Sequence, residues 1–336
     1  MLQNFLGLEP YTDNSVVEGI LFRKNDTLLA NIRPYLRKTW FATEDGACST
    51  DVLAIHPTNV DSKFLYNVIA QNSFIDYVMS GAKGSKMPRG DKVHIMEYEL
   101  SIPTDVYEQK KIADFLKLLT ERIDKIHLLI EHLKKYKRGV ISKLLDRSIG
   151  CDSTPWTSHK VGDFCTVQMC KRIFKEQTST DGDVPFFKIG TIGSKPDAFI
   201  SRELFEEYRQ KYNYPRKGEF LISCAGTVGK CVIYNGDDSY YQDSNIVWLR
   251  NESDFVLNEY LYILVSNVDW STLNSTTITR IYNDNLRDLI FDFPPIEDQK
   301  RISDFYAVLD KRIEAEVSTL ANLLDLKQGL IQGLFA

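Results

Sequence analysis

The chain says one long phrase twice. Residues 108–145 align with 298–335 at a constant offset of 190, without a gap, and 13 of the 38 positions are identical. The matches include Gln109/Gln299, Asp114/Asp304, Phe115/Phe305, Arg122/Arg312, Lys137/Lys327 and Gly139/Gly329. An ungapped match over some ten helical turns signals duplication. Both copies also carry a heptad. Ile112, Leu119, Ile126, Leu133 and Val140 lie seven apart, and Leu116, Ile123, Ile130 and Leu144 fill the interleaved row. In the second copy the rows are Ile302, Leu309, Leu323 and Leu330, interrupted by Glu316, and Tyr306, Ile313, Leu320 and Leu334. Spacing of three and four over five heptads is the seam of a coiled coil. Lys137 and Lys327 occupy the matching seam position in each copy, where a lysine weakens packing and helps to fix register. Each helix follows a turn, "IPTDVYE" or "FPPIED", with proline and acidic residues suited to a helix start. Two unrelated amphipathic helices would not share a heptad together with its polar positions. The simpler account makes each helix the other's antiparallel partner, a rod of roughly 55 Å that spans about 16 base pairs of B-DNA.

The segments between the helices repeat as well. "FLISCAGTVGKCVIY" reads as two strands around a Gly/Ser/Thr loop, "NIVWL" as a strand, "NEYLYILVSN" as a short amphipathic helix, and the end of "TTITRIYNDNLRDLIFDFPP" as an apolar strand. The same order occurs earlier as "DTLLANIRPYLRKTWFA", "TDVLAIHP", "KFLYNVIAQN" and "MPRGDKVHIMEYELSIP", and Phe5–Leu8 is a weaker match to Phe186–Ile192. The fold class expected is therefore α+β. Two mixed, strand-rich α/β globules alternate with the helices of an antiparallel two-helix coiled coil, in a pseudo-twofold internal repeat. The boundaries are 1–104, 105–147, 148–293 and 294–336. The first globule is about 44 residues shorter than the second and is expected to lack its first strands.

Composition fits a globular chain, with 43% hydrophobic and 26% charged residues among 336. No apolar run reaches the length of a membrane span, and the N-terminus lacks the pattern of a signal peptide. The six cysteines form no CxxC pair, and the histidines supply no metal spacing around them. Free thiols and a cytoplasmic location are expected. The net charge of −5 argues mildly against nucleic acid, but charge is unevenly placed. Residues 108–147 carry 11 basic and 6 acidic side chains, whereas 297–336 carry 5 basic and 7 acidic. DNA responds to the local patch, not the total.

The ending "PPIEDQKRISDF…LDKRI…KQGLIQGLF" and its earlier copy resemble the two helical spacers of specificity (S) subunits of type I restriction–modification systems. "W…KVGDF" at Trp156–Phe164 is similar to the start of a target recognition domain in that family, and "GEFLISCAGTVGKCVIY" and "DSNIVWLR" to its middle. The resemblance covers nearly the whole chain. It implies a non-catalytic DNA-binding subunit of an adenine methylation complex, in which each recognition domain reads half of a bipartite target and the helices set the gap. The implied partners are double-stranded DNA, two methyltransferase (modification) subunits and restriction/translocase subunits, with no membrane. The implied cofactors, S-adenosylmethionine, ATP and Mg, belong to those partner subunits and not to this chain. The readings weighed against it are a coiled-coil scaffold without DNA reading and a degenerate half-site subunit.

The residues agree with a chain that does no chemistry. There is no FxGxG cofactor loop and no NPPF- or DPPY-type motif, since "DFPPI" has the wrong residue before its prolines. "AGTVGKC" fails as a phosphate loop because Cys224 and Cys231 stand where Gly and Ser or Thr are required. DNA contact needs Arg, Lys, Asn, Gln, Ser or Thr on loops and strand ends. Candidates in the second globule are Lys171, Arg172, Lys175, Lys188, Lys195, Ser223, Thr227, Lys230, Arg280, Asn283 and Asn285. In the first they are Asn31, Arg33, Arg37, Lys38, Lys83, Lys86 and Arg89. The seam candidates are Ile112, Leu116, Leu119, Ile123, Ile126, Ile130 and Leu133, with Ile302, Tyr306, Leu309, Ile313, Leu320, Leu323 and Leu330.

Overall fold

The computed structural model describes residues 19–147, 155–270 and 280–334. The Phe5–Leu8 match, Cys151 and the start of "TTITRIYNDN" lie outside the described residues. Two compact units emerge, and one of them is not a single stretch of chain. One comprises 1–131 with 315–336, the other 132–314.

The first unit holds β1 (Ile20–Phe22), β2 (Thr27–Ala30), β3 (Thr39–Phe41), β4 (Gly46–Cys48) and β5 (Val52–Ile55). Helices α1 (Ser62–Ile69), α2 (Asn72–Ser80) and α3 (Lys92–Met96) follow, and then the long α4 (Val106–Leu145), most of which belongs to this unit. β2 is central in the sheet β3-β2-β5, antiparallel to both neighbours. All four of its residues are buried, which is why "TLLA" reads as a continuous run and not as an alternating strand. Leu29 packs beneath α2 with Phe74, Ile75 and Val78, while Leu28 faces Phe22 and Ala42.

The second unit opens with β6 (Thr157–Lys160), the short turn of helix α5 (Val161–Phe164) and β7 (Cys165–Gln168). It continues through β8 (Val184–Phe187), β9 (Phe199–Ile200), α6 (Arg202–Lys211), β10 (Phe220–Ser223), β11 (Cys231–Ile233), β12 (Tyr240–Tyr241) and β13 (Ile246–Asn251). It closes with α7 (Asn258–Ser266), α8 (Asn283–Arg287), β14 (Ile290–Phe293) and α9 (Ile296–Leu334), whose last residues belong to the first unit. Its main sheet is β11-β10-β13-β7. β10 is the counterpart of β2, flanked antiparallel by β11 and β13 as β2 is by β3 and β5. β8, β9 and β12 form a smaller sheet over a second core around Phe205, Tyr240 and Trp248. The expected helices and central strands of the repeat are present, but the end of "MPRGDKVHIMEYELSIP" forms no strand among the described residues, where its counterpart in the second unit forms β14. α2, α6 and the short strands β1, β4, β8, β9 and β12 are additions that no sequence pattern had marked.

Two devices recur in both units. A buried carboxylate closes the turn before each central strand. Asp26 accepts from the Arg23 N–H at 2.8 Å and meets His56 at 2.6 Å. Glu219 accepts from the Arg216 N–H at 2.7 Å and from Arg250 Nε at 3.1 Å. A buried glutamine then anchors each long helix. Gln109 Oε1 accepts the Asp61 N–H at 2.8 Å and its Nε2 donates to the Pro103 carbonyl at 2.7 Å. Gln299 Oε1 accepts the Leu257 N–H at 2.9 Å, and its Nε2 donates to the Pro294 and Phe255 carbonyls at 2.8 Å each. Each glutamine thus ties the start of a long helix to the start of the helix behind the sheet, which gives the Gln109/Gln299 identity its reason.

The helices meet inside each unit. In the second, Lys137 of α4 forms an ion pair with Asp310 of α9, and its ammonium lies 3.6 Å from the Tyr306 ring centre. One turn further along α4, Ile141 joins the core that holds Ile302 and Tyr306, so the helices run antiparallel there. In the first unit Lys327 donates to Thr120 Oγ1 at 2.9 Å. Thr120 and Asp310 are themselves related by the 190-residue offset, so the two seam lysines make equivalent reaches with different partners. Burial holds Lys327 below the usual lysine range, against the opposing pull of Asp124. All fourteen seam candidates are buried or partly buried. On α4 the buried ones are Leu116, Leu119, Ile126 and Ile130, with Ile112, Ile123 and Leu133 partly covered. On α9 Ile302 and Tyr306 are buried, and Leu309, Ile313, Leu320, Leu323 and Leu330 partly covered.

Candidate nucleic-acid interface

In the second unit several of the candidates gather around the loop between β10 and β11. Gly226 and Gly229 have φ of +66° and +79°, where side chains are strained, and a Cβ on Gly229 would overlap the Trp270 ring. Ser223 is fully buried. Its hydroxyl donates to the Thr227 carbonyl and accepts the Lys230 N–H, so it shapes the turn from within. Thr227 and Lys230 stand exposed at the tip. Lys230 Nζ reaches the Ile192 carbonyl at 2.6 Å and so joins the loop to the segment bearing Lys188 and Lys195. Lys188 pairs with Asp197 at 3.0 Å, and Lys195 is exposed with no ion pair among the described residues.

Arg280 forms a backbone bridge to Ala225 in this loop. Its guanidinium donates to the Ser244 carbonyl at 3.0 Å and lies 6.0 Å from the exposed Tyr282 ring. Arg172 reaches the neighbouring Asp243 at 2.8 Å. Lys171 instead stacks over Tyr212, and Lys175 begins a separate exposed turn. Asn285 accepts the Tyr282 N–H at 2.8 Å and serves as a cap for α8, which Asn283 opens. Beside Arg280, burial pushes the Cys224 thiol up to about 11, against the pull of the arginine, so the thiol is neutral.

The first unit builds the same frame from different side chains. Asn31 N–H donates to the Asp51 carbonyl at 2.8 Å, and the Asn31 carbonyl accepts from Gly90 N–H at 3.1 Å. In the second unit Cys224 N–H donates to Asn245 and the Cys224 carbonyl accepts from Ile281 N–H, both at 2.7 Å. Arg89 bridges Ile32 as Arg280 bridges Ala225. The two arginines are therefore equivalent. Arg89 also bridges Lys83, and its guanidinium meets Asp51 at 2.9 Å. Lys83 pairs with Asp91, whose carboxyl that hydrogen bond holds below its usual range. Lys86 is exposed at the tip of the 84–88 loop. Arg33 and Arg37 flank a single 3-10 turn, both left-handed at φ +52° and +53°, with Arg33 exposed and Arg37 and Lys38 partly covered. The Asn31 side chain is buried beneath this loop.

Each unit therefore presents, at one loop, an arginine held by backbone pairing with lysines and amide groups around it. Such donors suit phosphate oxygens and base edges. Asp51, Asp243, Ser244 and Tyr282 complete these sites and were not singled out in the sequence. The one signal for them was that Arg89 and Arg280 fall in matched stretches. Among the described residues no His/Cys/Asp/Glu group could hold a metal ion, and no helix is long and apolar enough to cross a membrane.

The chain is 39% identical over 260 residues to a putative type I restriction enzyme specificity subunit, S.HindORF215P, of Haemophilus influenzae, covering 75% of this chain and 64% of that protein. It is 29% identical over 123 residues to the type I restriction enzyme EcoDI specificity subunit of Escherichia coli, covering 37% of this chain and 26% of that protein. The match thus spans less than two thirds of the length of either relative. The crystal structure of a type I restriction–modification system S subunit from M. genitalium has the same fold, with TM-score 0.67 at 15% identity over 100% of this chain and 90% of that one. A structure describing complex assembly and conformational transition of the type I R-M system also shares it, with TM-score 0.56 at 18% identity over 94% and 82%. The model of the type I restriction modification DNA specificity domain matches residues 18–135 and 154–324. The chain, matched by that model over most of its length in two successive blocks, belongs to the type I restriction modification DNA specificity domain family.

Proposed function

We propose that this chain is the DNA sequence-specificity subunit of a type I restriction–modification complex and carries out no catalysis of its own. Each unit reads one half of a bipartite target through the loop that surrounds Arg89 or Arg280, and the paired helices set the gap. The observation that carries this reading is the equivalence of the two loops. One backbone frame holds an arginine in the same place twice, while the surrounding side chains differ, as two readers of different half-sites require. Thr227, Lys230, Lys188 and Lys195 in one unit, and Arg33, Arg37, Lys38 and Lys86 in the other, supply backbone contacts. Ser223, Asn31 and Asn285 shape the loops. The partners are two modification subunits, which bring S-adenosylmethionine, and restriction/translocase subunits, which bring ATP and Mg. Family membership favours this reading over a coiled-coil scaffold that ignores DNA.

The test is a binding titration of the chain with its modification partner on duplex DNA at several salt concentrations. Affinity should fall steeply and log-linearly with salt, because phosphate contacts release counterions. Absent binding, or binding indifferent to salt, rules the DNA-reading role out.

A further inference from the structure

The turn between β12 and β13 is held more firmly than a surface turn requires. Asn245 N–H donates to the Asp243 carbonyl across a single residue, and that residue, Ser244, is left-handed at φ +52°. Such strain persists only where the surroundings over-determine it. Here they do. Gln242 N–H donates to the Phe187 carbonyl at 2.9 Å, Gln242 Oε1 accepts the Ile189 N–H at 3.2 Å, and the Asn245 carbonyl accepts the Cys224 N–H at 2.7 Å. Two arginines from distant parts of the sequence end on this turn. Arg280 donates to the Ser244 carbonyl at 3.0 Å, and Arg172 donates through Nε to the Asp243 carboxylate at 2.8 Å. The backbone around Arg172 is fixed as well. Cys170 and Ile173 are buried, and the Lys171 carbonyl accepts the Tyr240 hydroxyl at 3.1 Å. A guanidinium held through Nε keeps its two terminal amino groups as a fork.

An ion pair made for stability alone is the plain alternative, and it leaves the arrangement unexplained. Arg172 is 59% exposed while Asp243 is only 17% exposed, and a pair open to water on one side contributes little. The first unit, moreover, sets a carboxylate against an arginine at the same turn. There Asp51 corresponds to Asn245, because its carbonyl accepts the Asn31 N–H as that of Asn245 accepts the Cys224 N–H. The Asp51 carboxylate meets Arg89 at 2.9 Å. Between the units the carboxylate moves by two positions and the arginine it holds is a different one, yet the device recurs. In the second unit the turn serves two arginines, Arg280 through a carbonyl and Arg172 through the carboxylate.

We propose that Arg172 is a second base-reading arginine of this unit, that its fork takes the O6 and N7 acceptors of a guanine in the major groove, and that Asp243 is its positioning residue. A base is favoured over a phosphate by charge. A carboxylate beside the fork repels a phosphate, whereas in a G·C pair the cytosine N4 amino group next to O6 is a donor that suits a carboxylate. This assignment, which rests on the DNA-reading role proposed above, adds to the second half-site one guanine beyond the base read by Arg280.

The experiment uses the full chain with its modification partner, on duplexes carrying the methylated motif mapped for that complex. Each base pair is replaced in turn within the half that Arg280→Ala relaxes. Arg172→Lys keeps the charge and loses the fork. It should lose at least about fivefold of discrimination at one G·C pair, with the salt slope, binding to unrelated duplex and preference in the other half unchanged. Placing 7-deazaguanine at that pair, which removes the N7 acceptor, should weaken the wild-type complex and leave the Arg172→Lys complex nearly unaffected. Asp243→Ala, with its fold checked by thermal melting, should lose discrimination at the same pair and add nothing there in the Arg172→Lys protein. Wild-type preferences in Arg172→Lys, equal weakening on every sequence as a phosphate contact would give, or a change in the other half overturns the proposal. A wild-type complex that binds no DNA, or binds it without salt dependence, overturns the DNA-reading role and this assignment with it. A split motif whose preferences Arg172→Lys leaves intact overturns this assignment alone.

Discussion

Replacing Gln299 with leucine tests how the long helix is fastened to its globule. The substitution keeps nearly the same volume, so cavity cost is small and hydrogen bonding dominates. Gln299 is fully buried and satisfies three main-chain groups: the Leu257 N–H and the carbonyls of Phe255 and Pro294. Each orphaned buried group costs about 1–3 kcal/mol. At the lower end for each, the second unit loses about 3 kcal/mol. Gln109→Leu orphans two groups, the Asp61 N–H and the Pro103 carbonyl, and should cost about 2 kcal/mol in the first unit. Urea unfolding separates the two, because Trp40 reports the first unit and Trp156, Trp248 and Trp270 the second. Amide exchange at Leu257 and Asp61 should accelerate only in the matching variant. A loss below about 0.5 kcal/mol for Gln299→Leu, against an expected cost at least several times larger, would refute the reasoning.

Other consequences are equally direct. Arg250→Ala leaves Glu219 buried without its cation and should cost about 3 kcal/mol or more, whereas His56→Ala should cost far less because that imidazole is 61% exposed; thermal melts of both variants decide this. Lys327 is held below its usual range by burial, so the folded first unit binds fewer protons than the unfolded chain. Its stability should therefore rise with pH through the lowered pKa and level off near the unfolded value of about 10.4, and Lys327→Met should remove that slope in urea titrations. Gly229→Ala combines a positive φ with a clash against Trp270, so it should destabilise the loop by about 2 kcal/mol or more and weaken DNA binding. Burial pushes Cys165, Cys170 and Cys231 up to about 12 and Cys224 to about 11; in a Cys48→Ser, Cys151→Ser protein a thiol reagent at pH 8 should label almost nothing until denaturant is added.

The repeat was legible because a heptad is a local signal, and the strands "FLIS" and "NIVWL" were legible because each is a short buried run between turn residues. The Gln109/Gln299 identity was visible too, but its meaning depends on partners 42 to 48 residues away, which periodicity does not encode. The same limit applies to the loop candidates. Ser223 and Asn285 have side chains suited to DNA, yet their oxygens are already engaged by neighbouring main chain. Residue type marks what a side chain can donate, and only the tertiary frame decides whether it is free to do so. How the compact units divide is not encoded in the linear repeat: one is the single stretch 132–314, the other joins 1–131 to 315–336, and each takes part of both long helices.

The central claim is that one chain carries two equivalent readers. It is tested most directly by mapping methylated sites in cells that express the complex with wild-type chain, Arg89→Ala or Arg280→Ala. The account predicts a wild-type motif split by a fixed gap. Each variant should relax sequence preference in one half only, and the two variants in different halves. A continuous motif, or two variants that alter the same half, would contradict it.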